Sequence, residues 1–122
     1  MKYAALLTNT SDDIARWATM TEEEGKAARE AELPRWNALF AELGASGKIV
    51  SGAELDEPAQ AKTVRVRNGE TLVTDGPYAE TKELIGGLMV LECDDLDEAI
   101  GIAARIPVVE RGSVELRPLI EH

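Results

Sequence analysis

Basic residues, histidine and cysteine are all scarce in this chain. Thirteen lysines and arginines face twenty-three carboxylates, a formal net charge of −10 over 122 residues. Such a surface repels nucleic acid and anionic membranes, so neither is an expected partner. The single cysteine, Cys93, has no partner for an internal disulfide, which suits a reducing compartment. The single histidine, His122, is the last residue, a position that ordinarily frays. No His or Cys spacing supports a metal site, and helix capping accounts for the acidic run Asp94, Asp95, Asp97, Glu98. No cofactor is expected. Long apolar runs are missing too; the one at residues 3–7 is too short for a membrane span or a signal-peptide core. A cytoplasmic protein is the expectation. With no repeat, linker or low-complexity segment, and with 44% hydrophobic residues, the chain reads as one domain, 1–122.

The apolar residues that are present fall into clear patterns. Residues 2–8 form a strand with Tyr3, Ala5 and Leu7 on one face and Ala4 and Leu6 on the other. Residues 86–93 form another, with Leu88 and Val90 opposed to Met89, Leu91 and Cys93. Both strands are apolar on both faces, so both faces should be covered. Asp12 or Asp13 caps a short helix carrying Ile14 and Trp17. Thr21 and Glu24 make a capping box for a longer helix reaching about Leu43, with Trp36, Leu39, Phe40 and Leu43 as its inward stripe. Pro34 should kink this helix or split it near Glu32. A second strand runs over residues 48–55. Strands at 62–67 and 70–74 make a hairpin closed by Asn68-Gly69, a strong short-range hairpin signal. Val64 and Val66 share one hairpin face; Thr63, Arg65 and Arg67 share the other. Asp94 or Asp95 caps a helix whose buried stripe is Leu96, Ala99, Ile100, Ala103 and Ile106, ended by Pro107. Residues 113–117 are the last strand. The order predicts an α+β fold: a ferredoxin-like split βαβ plan with an inserted β-hairpin.

Between the hairpin and the strand at 86–93 lies Asp75-Gly76-Pro77-Tyr78. Pro77 fixes its own φ, and Gly76 can take angles closed to other residues. Asp75 either caps this turn by accepting backbone N–H groups, or lines a cleft and moves a proton.

Residues 73–83, Val-Thr-Asp-Gly-Pro-Tyr-Ala-Glu-Thr-Lys-Glu, followed by Gly86-Gly87, resemble the signature of the DGPF group of the YCII-related family. That group usually has Phe where this chain has Tyr78. The likeness extends to residues 63–69, 94–99, 104–107 and 112–118. It implies a fold of the dimeric α/β-barrel type and an association with sigma-factor signalling, since such proteins are often encoded beside extracytoplasmic-function sigma factors. Relatives outside the group carry a His–Asp pair suited to acid–base work; this chain has no internal histidine to supply it.

Two functions remain open. The first is binding of a small organic acid or phenolic ligand, extending to cofactor-free acid–base catalysis by Asp75. Tyr78 would orient the ligand, and Arg65, Arg67 and Arg117 would supply cations for a carboxylate. The second is a non-catalytic regulatory or interaction module. In either case two helices can cover only one sheet face, so a homodimer packed through the other is expected.

Overall fold

A computed structural model describes residues 1–76 and 83–122 of the chain. Strand β1 (Lys2–Thr10) leads through helices α1 (Ser11–Ala18) and α2 (Glu22–Ala45) to strand β2 (Ile49–Glu54). The hairpin β3 (Lys62–Arg67) and β4 (Glu70–Asp75) comes next. Strand β5 (Glu83–Glu92), helix α3 (Leu96–Ala103) and strand β6 (Gly112–Pro118) complete it. Four strands form one antiparallel sheet in the order β2-β5-β1-β6, and β3-β4 stand apart as a second, two-stranded sheet. With the hairpin left out and the remaining strands numbered one to four along the chain, the sheet order reads 2-3-1-4, the ferredoxin-like arrangement expected above. Among the described residues no helix is long and apolar enough to cross a membrane.

One face of the sheet carries the core. Tyr3 sits opposite Leu91 and Ala5 opposite Met89, and all four are buried. Leu39 and Leu43 of α2 and Ala99 and Ile102 of α3 join them in one cluster with Cys93, Ile106 and Val108. Val114 and Leu116 of β6 pack against it. The other face is built by the alternate residues. Ala4 is opposite Val90 and Leu6 opposite Leu88, with Ala53 of β2 beside Leu88. On β6, Glu115 and Arg117 stand opposite Leu6 and Ala4. Ala4, Leu6, Leu88 and Val90 are half-buried, because α2 and α3 are both committed to the first face.

Four local expectations need correction. Thr10, not Asp12 or Asp13, caps α1: its side-chain oxygen accepts the Asp13 N–H at 3.1 Å. Helix α2 runs unbroken through Pro34. The proline removes only the amide that would reach the Glu30 carbonyl, and both residues are exposed, so water can take that carbonyl. In α3, capped by Asp95, the buried stripe is Ala99, Ile102, Ala103 and Ile106, while Leu96 and Ile100 are each 50% exposed. The helix therefore turns Ile102 rather than Leu96 and Ile100 toward the core. Phe40 of α2 is likewise more exposed than its place in the stripe suggests, with its ring tilted against Trp36 at 5.6 Å.

Gly112 is required by a close approach. A Cβ there would collide with the Thr8 carbonyl oxygen where β6 lies against β1. We expect Gly112→Ala to destabilise the protein by about 1–3 kcal/mol, as overpacking does. Pro34→Ala should stabilise it, by up to about 3 kcal/mol, by restoring an α2 hydrogen bond. Urea unfolding midpoints of the two variants, moving in opposite directions from wild type, check both.

Candidate functional site

The hairpin is held at its tip by Asn68 and Gly69, whose φ of 53° and 77° match the turn that suits twisted strands. All six cross-strand pairs form, from Arg67 opposite Glu70 to Lys62 opposite Asp75. At the foot, Gly76 adopts φ 88° and donates its N–H to the Ala61 carbonyl at 2.8 Å. Thr63 Oγ1 donates to the Gly76 carbonyl at 2.8 Å. The left-handed glycine expected of the Asp-Gly-Pro turn is therefore present. The carboxylate of Asp75 is 87% exposed and ion-paired with Lys62, and the amides beyond Gly76 that it could cap lie outside the described residues. Tyr78, with Pro77, falls within residues 77–82 and lies outside the described residues.

Strand alternation decides which candidates can meet. Asp75 and Lys62 share a hairpin face with Val64, Val66 and Val73. Arg65 and Arg67 project from the opposite face, with Thr63 and Leu72. Arg67 donates to the Val66 carbonyl at 2.9 Å. Arg117 lies on the four-stranded sheet, on its open face, 3.9 Å from Glu115. The chain thus does not gather Asp75 and the three arginines into one cluster. Lys62, which sequence reasoning passed over, is the group that Asp75 meets; its place directly opposite Asp75 in the hairpin register was the available signal.

A second constellation had no sequence signal at all. Asp13, 7% exposed, accepts from Arg16 at 2.9 Å and from Arg111 Nε at 3.2 Å. The two terminal nitrogens of Arg111 fork onto Glu32 at 2.6 and 3.2 Å. The Glu32 hydrogen bonds hold the Arg111 guanidinium above its usual pKa against the opposing effect of burial. Both oxygens of Asp13 are occupied, so the group ties α1, α2 and the start of β6 together and offers no free acid. A third set lines an open groove of about 440 Å³ between the end of α2 and α3, where Glu42, Lys48, Glu98 and Arg105 sit. Lys48 meets Glu98 at 2.8 Å, and Arg105 forks onto Glu42. Cys93, beneath this region, has its thiol pushed up by burial. Among the described residues no three His, Cys, Asp or Glu side chains gather as a metal site would.

Glu42, Glu98 and Glu110 are held below the ordinary carboxylate value of 4.5, by hydrogen bonds from Arg105, Lys48 and Arg35 respectively. Between the lowered values and 4.5 the unfolded chain binds more protons than the folded one. The stability these pairs contribute is therefore present above 4.5 and lost as pH falls through the lowered values. All three are surface pairs, so the effect is shallow. Urea midpoints measured from about pH 5 to about pH 3 should fall less steeply in a Glu42→Gln/Glu98→Gln/Glu110→Gln variant than in wild type.

Similarity to known proteins covers the whole molecule. An uncharacterised protein of Rhizobium meliloti is 35% identical over 121 residues, 98% of this chain and 92% of that one. The solved structure of a 5-chloro-2-hydroxyhydroquinone dehydrochlorinase from Burkholderia phenoliruptrix, in complex with 2,5-dihydroxybenzoquinone, aligns over 100% of this chain and 96% of its own. Its sequence identity is 12% and its TM-score 0.49. The YCII-related domain model matches residues 1–122, and the chain belongs to that family.

Proposed function

We propose that two copies of this chain pack their open sheet faces together and hold a small organic acid or phenolic molecule between them. The observation that carries this reading is the row Ala4, Leu6, Leu88 and Val90. It is apolar and half-buried in the single chain, on a face the helices leave bare. Two four-stranded sheets give eight strands, a number whose interior is filled by side chains or holds one small ligand. Ala4 and Ala53 are small side chains at positions that face such an interior, and they leave room for one. Arg117, opposite Ala4 on the edge strand, supplies a cation at the rim.

Asp75 is the candidate proton donor or acceptor for a cofactor-free acid–base reaction on that ligand. Tyr78 is the candidate to orient the ligand, and Arg65 and Arg67 are secondary candidates for a ligand carboxylate. The alternative, a non-catalytic regulatory or interaction module in sigma-factor signalling, is favoured by one observation: Asp75 is solvated and spent on Lys62.

A thermal-shift screen of small organic acids and phenolics on wild type, Asp75→Asn and Arg117→Ala tests the reading. A ligand at 100 times its Kd adds about 2.7 kcal/mol, a rise on the order of 10 °C in a domain of this size. We expect such a shift in wild type and its loss in Arg117→Ala. Retention in Asp75→Asn assigns binding without a role for that carboxylate. A screen in which no compound moves the melting temperature sinks the binding reading and favours the regulatory one.

A further inference from the structure

We propose that the hydroxyl pair Thr8 and Ser113 is the polar anchor of the open sheet face and selects a ligand that carries a phenolic O–H on a flat ring. This deepens the binding reading above and rests on it, since the ligand lies on the same face. Side chains directly opposite one another in an antiparallel sheet share a face, so the register divides this face into rows. Arg117, Ala4 and Val90 make the first row, and Glu115, Leu6 and Leu88 the second. Ser113, Thr8 and Ile85 make the third. The middle of the face is apolar, with a cation at one corner and two hydroxyls at another. The register of β5 on β1 shifts between Leu7 and Thr8, so that Ile85 rather than Gly86 stands opposite Thr8. Bulges of this kind re-aim a side chain; here the result is an apolar wall, 45% exposed, beside the hydroxyls.

The pair is fixed in place, because β6 lies so close to β1 at Gly112 that a Cβ there would collide with the Thr8 carbonyl. Thr8 Oγ1 donates to the Ser113 carbonyl at 3.1 Å and shares a second hydrogen bond with Ser113 Oγ. Each hydroxyl has one hydrogen and two lone pairs. With the Thr8 hydrogen on the carbonyl, the Ser113 hydrogen goes to Thr8 Oγ1, and both are spent inside the pair. Ser113 Oγ then has lone pairs to offer, so the group that fits it is a donor. Glu115, two residues along β6 on the same face, adds another acceptor. The Arg117 guanidinium, 3.9 Å from Glu115, has N–H donors left for an anion. A neutral O–H is thus favoured at the Ser113 end and a carboxylate at the Arg117 end. Both hydroxyls are half-buried in the single chain. A site built to bond a hydroxyl discriminates against the analogue that lacks it, because its own polar group is left unpaired. The ligand class is an aromatic ring bearing a hydroxyl and, across the ring, a carboxylate.

The test is calorimetric titration near neutral pH with benzoate, 3-hydroxybenzoate and 4-hydroxybenzoate, on wild type and Ser113→Ala. We expect wild type to bind one of the hydroxybenzoates about tenfold or more tighter than benzoate. Ser113→Ala should bring the two within about twofold by weakening the hydroxybenzoate alone. Should Ser113→Ala fail to fold, Thr8→Val is read in its place. It keeps the β-branched shape a strand favours and removes the bond that orients the Ser113 hydroxyl, so the same preference must fall. Equal affinity for benzoate and the hydroxybenzoates in wild type overturns the anchor and leaves binding on the face standing. So does a preference that survives the substitution, including one that survives while the melting temperature falls, which assigns the pair to sheet stability alone. No binding of any of the three compounds overturns the proposal, and the wider screen then shows whether the binding reading falls with it.

Discussion

Strands β1 and β5 are apolar on both faces, and the chain has helix enough to shield one. That mismatch organises everything else. It drives Tyr3, Ala5, Met89 and Leu91 under α2 and α3 to make the single core. It leaves Ala4, Leu6, Leu88 and Val90 half in water on the other side. Burying a Leu or Val side chain contributes about 1.5–3 kcal/mol, so leaving several of them bare is a substantial loss that another surface can recover. The edge strands grade the exposed face from apolar to charged: β6 presents Glu115 and Arg117, and β2 presents Ser51 and Ala53.

Charge is the second organising element. A chain with ten more carboxylates than cations must place its arginines well. Arg111 joins Asp13 and Glu32, Arg105 joins Glu42, and Arg35 joins Glu110. The last two are exposed pairs, which contribute little. The first is different because Asp13 is buried and loses water on both oxygens. Removing Arg111 would leave Asp13 with Arg16 alone and take the partner from its other oxygen, and breaking a buried pair in that way is costly. The tie therefore fixes where α1 sits, although nothing about residues 13, 32 and 111 in the linear chain announces that they meet.

The hairpin illustrates how far local chemistry reaches. Asn68-Gly69 and the flanking alternation placed the turn and register correctly, because both depend on nearest neighbours. The same alternation, read one step further, separates Asp75 from Arg65 and Arg67, which lie on opposite faces. Asp75 reads in the sequence as either a cap or a cleft residue; in the fold its carboxylate meets Lys62, directly opposite it across the ladder. Arg117 belongs to a different sheet altogether.

Strand order, the capping box at Thr21, an aspartate cap at 94 or 95 and the ferredoxin-like plan were all legible in the sequence, since each follows from periodicity and turn chemistry over a few residues. Leu96 and Ile100 fit a helical stripe as well as Ala99 and Ile102 do; only the packing of α3 on the sheet chose between them. Helix α2 passes through Pro34 for the same kind of reason: the packing of Leu39 and Leu43 further along outweighs one lost hydrogen bond on the solvent side. The Asp13–Arg111–Glu32 tie was likewise invisible until the chain was folded. Contacts between residues far apart in sequence depend on three-dimensional closure, and no local pattern encodes which distant charge a buried carboxylate will find.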